Sequence, residues 1–227
     1  MIANISEATQ DYLKIIFSLT ERYGRATTSQ IAEGLDVKPA SVTGMLQKMA
    51  QDEPQLVDYK KHQGVTLTAE GQMAALEILR HHRLVETFLH EVLGYSWDEV
   101  HDEAERLEHV ISEDMESRMA AVLGNPNRDP HGQPIPNKDL ELASTSDFPM
   151  SDLRPGQEAI VRRVQDDDPE LLRYLNSLGL RPQSRLSVLA YVPFDKTLQV
   201  QVYGREETAV LGPQITGEIF VEFVENQ

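Results

Sequence analysis

Residues 101–110 read HDEAERLEHV, which puts four acids and two histidines into ten positions. As a helix this stretch places His101, Glu105, Glu108 and His109 at i, i+4, i+7 and i+8. At about 100° per residue the four project within roughly a third of the circumference. Carboxylates crowded in this way repel unless something positive lies between them, either a buried arginine or a metal ion. From Glu91 to Glu116 there are ten acids, and Arg106 is the only lysine or arginine. Acid-rich helices are usually solvated faces stitched by basic residues four positions on, and here that stitching is missing. One divalent ion held by Glu105, Glu108 and His109 would neutralise the cluster. Carboxylates with one imidazole suit Mn²⁺ or Fe²⁺ and also permit Zn²⁺ or Co²⁺. Asp102 and Glu103 point off that sector and are expected to be solvated. In the preceding helix His82 and Glu86 are i, i+4 neighbours and can face one ligand.

The same residues could instead form a metal-dependent enzyme, which is the alternative reading. Zinc hydrolases carry H-E-x-x-H on a helix, and this chain has no such spacing. Di-iron bundles need E-x-x-H on two helices, whereas Glu105 is followed at i+3 by Glu108. There is no GxSxG elbow and no phosphate loop. The expectation is therefore a protein that is not an enzyme.

With 227 residues, 40% of them hydrophobic and 26% charged, the chain reads as soluble, globular and built of one to three domains. No apolar run approaches the ~20 residues of a membrane span and no signal peptide is evident, so the cytoplasm and no membrane partner are expected. The absence of cysteine excludes disulfides and thiolate chemistry and leaves oxygen and imidazole as metal ligands. A net charge of −16 argues against nucleic acid, but it is unevenly spread: −2 over residues 1–70, −10 over 71–150 and −4 over 151–227. A near-neutral N-terminal part leaves room for a DNA-binding face.

The elements that must position these residues fall into three sections. In 1–70, DYLKIIFSLTERYG has helical apolar spacing (Tyr12, Ile15, Ile16, Leu19) and Gly24 as a stop. TTSQIAEGL offers a capping box from Thr27 to Gln30. KPASVTGMLQKMAQDE begins a further helix with Pro39 at its first position and an inward stripe of Val42, Met45, Leu46 and Met49. LVDYKKHQGVTLT alternates on both sides of a basic turn, as a two-stranded wing does. Together these make a winged helix-turn-helix, whose second helix enters the major groove. Its DNA-contacting candidates are Thr28, Ser29, Lys38, Ser41, Thr43, Gln47 and Lys48, with Gly44 on the same outward face and Lys60, Lys61 and His62 on the wing.

Residues 69–123 read as helices, one from 69 to 94 and a second from 96 to 123 with Ser96 as cap. Residues 124–150 carry five prolines and read as an ordered loop plus linker. Beyond them EAIVRRV, RLSVLAYVP, LQVQVYG and IFVEFVE alternate with period two around a short helix, PELLRYLNSLGL, which describes a small β barrel. The fold class is mainly α with a C-terminal β domain. Its expected parts are a winged helix-turn-helix at 1–70, a helical metal-binding and dimerisation domain at 71–140, a linker at 141–150 and an SH3-like barrel at 151–227.

With the winged helix-turn-helix, HHRLVETFL, VHDEAERLEHVIS, DPHGQPIP and the barrel in this order, the chain resembles the diphtheria-toxin-repressor family of iron- and manganese-dependent transcription regulators. The resemblance covers its whole length. It implies a homodimer that binds double-stranded operator DNA when Mn²⁺, or else Fe²⁺, is bound as co-repressor ion, and that controls metal-homeostasis genes. It adds Asp11 to Glu105, Glu108 and His109 as a principal site. It also implies an ancillary site of His82, Glu86 and His101, completed from the barrel by Gln165 or one of Asp166, Asp167 and Asp168. The iron branch carries methionine and cysteine at the positions of Asp11 and Glu105, and the manganese branch carries acids, which favours Mn²⁺. Two-metal manganese sensors of the family have a glutamate where this chain has Lys14.

Overall fold

The computed structural model describes residues 5–165 and 168–224, and Asp166 and Asp167 lie outside the described residues. The chain forms two compact units. The first comprises residues up to His82, Arg106–Glu116 and Pro136–Leu142; the second comprises Arg83–Glu105, Ser117–Ile135 and residues from Ala143 on.

The first unit begins with α1 (Glu7–Tyr23), α2 (Thr28–Gly34) and α3 (Pro39–Met49). Each start is set by local chemistry. Ser6 accepts from the Thr9 amide at α1, Thr27 and Gln30 form a reciprocal capping box at α2, and Pro39 opens α3. Gly24 ends α1 in the left-handed conformation, as its sequence position leads one to expect. Strands β1 (Val57–Lys60) and β2 (Gly64–Leu67) pair as an antiparallel hairpin. Gly64 is required there: its φ is +87°, and a Cβ would stand 2.7 Å from the Ala26 carbonyl oxygen. That close approach lets Ala26 and Val65 exchange backbone hydrogen bonds of 3.0 and 2.9 Å, tying the wing to the loop after α1.

The core of this unit joins Leu13 and Ile16 of α1, Ile31 of α2, Val42, Leu46 and Met49 of α3 and Val57 and Val65 of the wing. Ala74, Ala75 and Ile78 of α4 (Ala69–Glu91) close it. The inward stripe of α3 holds for Val42, Leu46 and Met49, while Met45 is only partly covered.

The expected single helix over 96–123 is two helices, α5 (Val100–Leu107) and α6 (Glu113–Val122). Glu108, His109 and Val110 form a turn, and Ser112 caps α6 by accepting from the Met115 amide at 3.2 Å. The physical reason is local. Val110, Ile111 and Ser112 are weak helix formers in succession, and a serine at a helix start has a stronger alternative in capping.

In the second unit an antiparallel six-stranded sheet has the order β3-β8-β4-β5-β6-β7. Its strands are β3 (Phe148–Pro149), β4 (Glu158–Val164), β5 (Arg185–Val192), β6 (Thr197–Val202), β7 (Thr208–Leu211) and β8 (Ile219–Phe223), accompanied by α7 (Pro169–Leu178) and α8 (Pro213–Thr216). The four alternating segments and the α7 helix of the sequence reading are all present. Strands β3 and β7 were not expected; both are short edges, and β3 arises within the segment read as linker. Alternation buries Leu198, Val200 and Val202 of β6 and Ala159, Val161 and Val164 of β4, with Leu172 and Leu175 of α7 and Trp97 in the same core. Residues 124–135 are an ordered loop as expected: Asp129, His131 and Gln133 are buried.

Candidate metal centre

In the first unit the turn after α5 brings Glu108 and His109 to α1. His109 Nε2 lies 3.0 Å from Asp11 Oδ1 and 3.5 Å from Glu108 Oε1. One ligand atom from each of Asp11, Glu108 and His109 lies within 4.8 Å of the others. Glu108 is fully buried and His109 nearly so, while Asp11 keeps one side open to solvent. His109 Nδ1 is 2.8 Å from the Gln10 side-chain oxygen, which can only accept. The ring proton therefore belongs on Nδ1, and the Nε2 lone pair is turned toward the two carboxylates. A second partner that fixes the tautomer in this way is the usual companion of a metal-binding histidine. Gln10, itself buried, was not singled out in the sequence; its only signal there is its place beside Asp11.

The charge of Glu108 is already met from within the protein. Lys14 Nζ lies 2.7 Å from Oε1 and His82 Nδ1 lies 2.5 Å from Oε2. Burial would push this carboxyl up, but His82 and Lys14 outweigh it and hold it below the usual carboxylate range. The expectation that only an arginine or a metal could neutralise the acids thus needs correction. Asp102 and Glu103 lie in the first turn of α5, and Glu113, Asp114 and Glu116 in the first turn of α6. At a helix N-terminus the partial positive charge favours acids, and this accounts for half of the ten. Arg80 Nε meets Glu116 at 2.7 Å.

The second unit holds a further group. His101 Nδ1 is 3.3 Å from Glu86 Oε1, and its Nε2 is 3.6 Å from Glu105 Oε1. The helical face expected to carry His101, Glu105, Glu108 and His109 together ends at Leu107, so Glu105 lies against His101 while Glu108 and His109 lie in the turn. Glu86 Oε2 is 3.7 Å from His131 Nδ1. One ligand atom from each of Glu86, Asp129 and His131 falls within 4.8 Å of the others, and all three residues are buried. His131 Nε2 is 2.6 Å from the Trp97 carbonyl, so Nε2 carries the proton and Nδ1 presents its lone pair to the acid. Asp129 Oδ1 accepts from the amides of His131 and Gln133 at 2.9 Å each, which shapes the loop. Gly132 allows that loop to lie against β4: its φ is +86°, and a Cβ would stand 2.0 Å from the Arg162 carbonyl oxygen. Sequence reasoning passed over Asp129 and His131, although a histidine in DPHG was a usable signal.

Of the residues expected to complete this group from the barrel, Gln165 donates its backbone N–H to the Glu218 carbonyl at 2.9 Å, a bond that does not involve its side chain. Asp168 caps α7 by accepting from the amides of Glu170 and Leu171, so its side chain serves the helix. Asp166 and Asp167 lie outside the described residues.

The expected nucleic-acid face belongs to the first unit. Ser29, Lys38, Ser41, Gly44, Gln47 and Lys48 are exposed, as are Lys60, Lys61 and His62 on the wing. Thr28 and Thr43 are partly covered, and the Thr43 hydroxyl donates to the Pro39 carbonyl at 3.1 Å. Among the described residues no helix is long and apolar enough to cross a membrane.

Comparison with known proteins aligns with this geometry. Residues 4–65 match the iron-dependent repressor N-terminal DNA-binding domain. Residues 68–137 match the iron-dependent repressor metal-binding and dimerisation domain, and residues 148–223 match the FeoA domain. The iron-dependent repressor IdeR of Mycobacterium leprae is 33% identical over 197 residues, which cover 82% of this chain and 85% of that protein. The HTH-type transcriptional regulator MntR of Oceanobacillus iheyensis is 42% identical over 103 residues, covering 45% of this chain and 68% of that protein. A solved manganese-dependent transcriptional repressor in complex with manganese superposes with a TM-score of 0.89 at 41% identity, covering 95% of this chain and all of the other.

Proposed function

Because the chain belongs to the diphtheria-toxin-repressor family of metal-dependent transcriptional repressors, we propose that the ion it answers to is Mn²⁺, with Fe²⁺ as the nearest competitor. The protein is a DNA-binding repressor with a metal-binding and dimerisation domain and an SH3-like FeoA domain, and its family consists of regulators, not enzymes. We assign the parts as 1–70, 71–140 and 151–227, with 141–150 as linker. The promoters it controls are those of metal-homeostasis genes, and it works in the cytoplasm, where its DNA is.

The observation that carries the reading is the donor set of Asp11, Glu108 and His109: two carboxylates and one imidazole with its tautomer fixed by Gln10. Such donors favour Mn²⁺ and Fe²⁺ over softer ions. His82 serves Glu108. Glu86 and His101, with His131 and Asp129, form the ancillary site.

A bound divalent cation would take the place of the Lys14 ammonium on Glu108 and supply one positive charge shared by Asp11, Glu108 and His109. The protein does the rest. Asp11 is on α1, which packs against α2 and the wing, whereas Glu108 and His109 sit in the turn after α5. Drawing the three ligands together fixes α1 against that turn. In a dimer that reads two half-sites, this sets the recognition helices to the ~34 Å repeat of DNA. Moving a two-state equilibrium from 1:99 to 99:1 takes about 5.5 kcal/mol of preferential binding, a demand several protein ligands can meet.

The test is to count bound Mn²⁺ by the loss of the free-ion paramagnetic resonance signal in wild type and in Asp11→Ala/His109→Ala. The double variant is expected to lose the tightest equivalent while remaining a folded dimer. Unchanged tight binding in that variant would refute the assignment.

A further inference from the structure

Helix α4 carries another group of ionisable residues, one that the Asp11–Glu108–His109 centre does not use. Glu77 and His81 lie one turn apart on α4, beside Glu113 and Glu116 of α6. The His81 side chain is 1% exposed. Its Nδ1 is 3.3 Å from the backbone carbonyl of Glu108, which can only accept, so the ring keeps a proton on Nδ1 and turns Nε2 toward the acids. Nε2 lies 3.2 Å from Glu116 Oε2 and 3.5 Å from Glu113 Oε1, aligned for a hydrogen bond to neither, and it is buried without a hydrogen-bond partner.

Arg80 Nε meets Glu116 through Oε1 at 2.7 Å and leaves Oε2 turned toward His81. An imidazole nitrogen and two carboxylate oxygens converging on one point are held together by a positive charge between them, either a proton on Nε2 or a metal ion in its place. One ligand atom from each of His81, Glu113 and Glu116 lies within 4.8 Å of the others. Glu113, 68% exposed, leaves the group open to solvent.

We propose that His81, Glu113 and Glu116 form a further divalent-cation site, separate from the two centres described above. Its donors, one imidazole and two carboxylates, suit Mn²⁺, Fe²⁺ and Zn²⁺. Arg80 holds Glu116 in place by its other oxygen, and the Glu108 carbonyl fixes the imidazole tautomer, as second partners do in built metal sites. The site is linked to the Asp11 centre through a single residue: His81 holds the backbone carbonyl of Glu108, whose side chain serves that centre.

The test is metal content after equilibrium dialysis of the full-length protein against Mn²⁺ and, separately, Zn²⁺. Wild type, Glu113→Gln and Glu116→Gln are compared, and Glu113→Gln is also placed in the Asp11→Ala/His109→Ala background. Each glutamine variant is expected to hold one ion fewer per chain than its parent, Glu113→Gln in both backgrounds. Glu113 is largely exposed, so Glu113→Gln should keep the wild-type circular dichroism. Equal metal content in parent and Glu113→Gln would overturn the proposal and leave His81 as a ring protonated between two acids.

Discussion

Lys14 Nζ stands 2.7 Å from Glu108 Oε1, so a lysine of α1 occupies the carboxylate proposed to receive the metal. The acid is fully buried and the amine 19% exposed, which makes this pair a contact that metal binding must reorganise. Lys14→Met removes the internal competitor. Mn²⁺ affinity should rise about tenfold, corresponding to ~1.4 kcal/mol. In chelator the same variant should lose about 1–3 kcal/mol of stability, the size of a lost charge-assisted hydrogen bond. Calorimetric titration and chemical denaturation measure the two, and a fall in Mn²⁺ affinity would show that Lys14 assists the site.

Gln10 accepts from His109 Nδ1 at 2.8 Å and donates to the Ile5 carbonyl at 2.9 Å. Replacing it by leucine leaves the ligands in place but frees the ring. Mn²⁺ affinity is expected to fall about 10–100-fold, as when outer partners of metal-binding histidines are removed. Asp102→Asn, at an exposed acid in the first turn of α5, should leave affinity within about twofold.

The stability of the metal-free protein should depend on pH through His81 and Glu116. Burial lowers the His81 pKa, but Glu116 and Glu113 outweigh it and hold it above its ordinary 6.5. Its contribution is complete below 6.5 and fades as pH rises through the raised value. Glu116 is held below its ordinary 4.5, with burial opposed by His81 and Arg80. Its contribution is complete above 4.5 and fades as pH falls through the lowered value. Thermal melts in chelator should therefore show greatest stability between these limits, and His81→Gln should flatten the alkaline side. An unchanged alkaline slope in that variant would remove His81 from the account.

The exposed residues of α3 and the wing should divide by role. Lys60→Ala and Lys61→Ala are expected to weaken operator and non-operator DNA alike, each reducing the salt slope by about one. Gln47→Ala should instead cost about 1–3 kcal/mol on the operator alone. Salt-dependent binding to both DNAs checks this, and a sequence-dependent effect at Lys60 would reverse its assignment.

Local signals served the sequence reading well where they decide structure by themselves. Thr27 and Pro39 begin helices and Gly24 ends one through short-range chemistry, whereas the Ser6 cap of α1, ahead of the stretch DYLKII, went unread. Period-two alternation places β4, β5, β6 and β8 because one face of each is buried. The break between α5 and α6 was hidden because the apolar spacing continues through it, with only Ser112 to mark a new start. The crowding of acids was overread for the same reason: two helix starts look like one acidic helix when the break is missed. Lys14 and Arg80 are far from the acids in sequence, so their pairing with Glu108 and Glu116 appears only once the chain is folded. Asp129 and His131 were missed because a proline-rich loop gives no periodicity from which to judge which side chains turn inward. Strands β3 and β7 are too short to alternate visibly.

The most direct test of the central claim is fluorescence anisotropy of a labelled operator from a manganese-transport promoter, titrated with wild type and with His109→Ala at fixed salt. Chelator, Mn²⁺, anaerobic Fe²⁺ and Zn²⁺ are compared. The account predicts tight binding by wild type with Mn²⁺ or Fe²⁺, weak binding in chelator, and no metal response in His109→Ala. Binding by wild type that is equally tight in chelator and in Mn²⁺ would contradict it and reduce the Asp11–Glu108–His109 group to a structural ion-pair network.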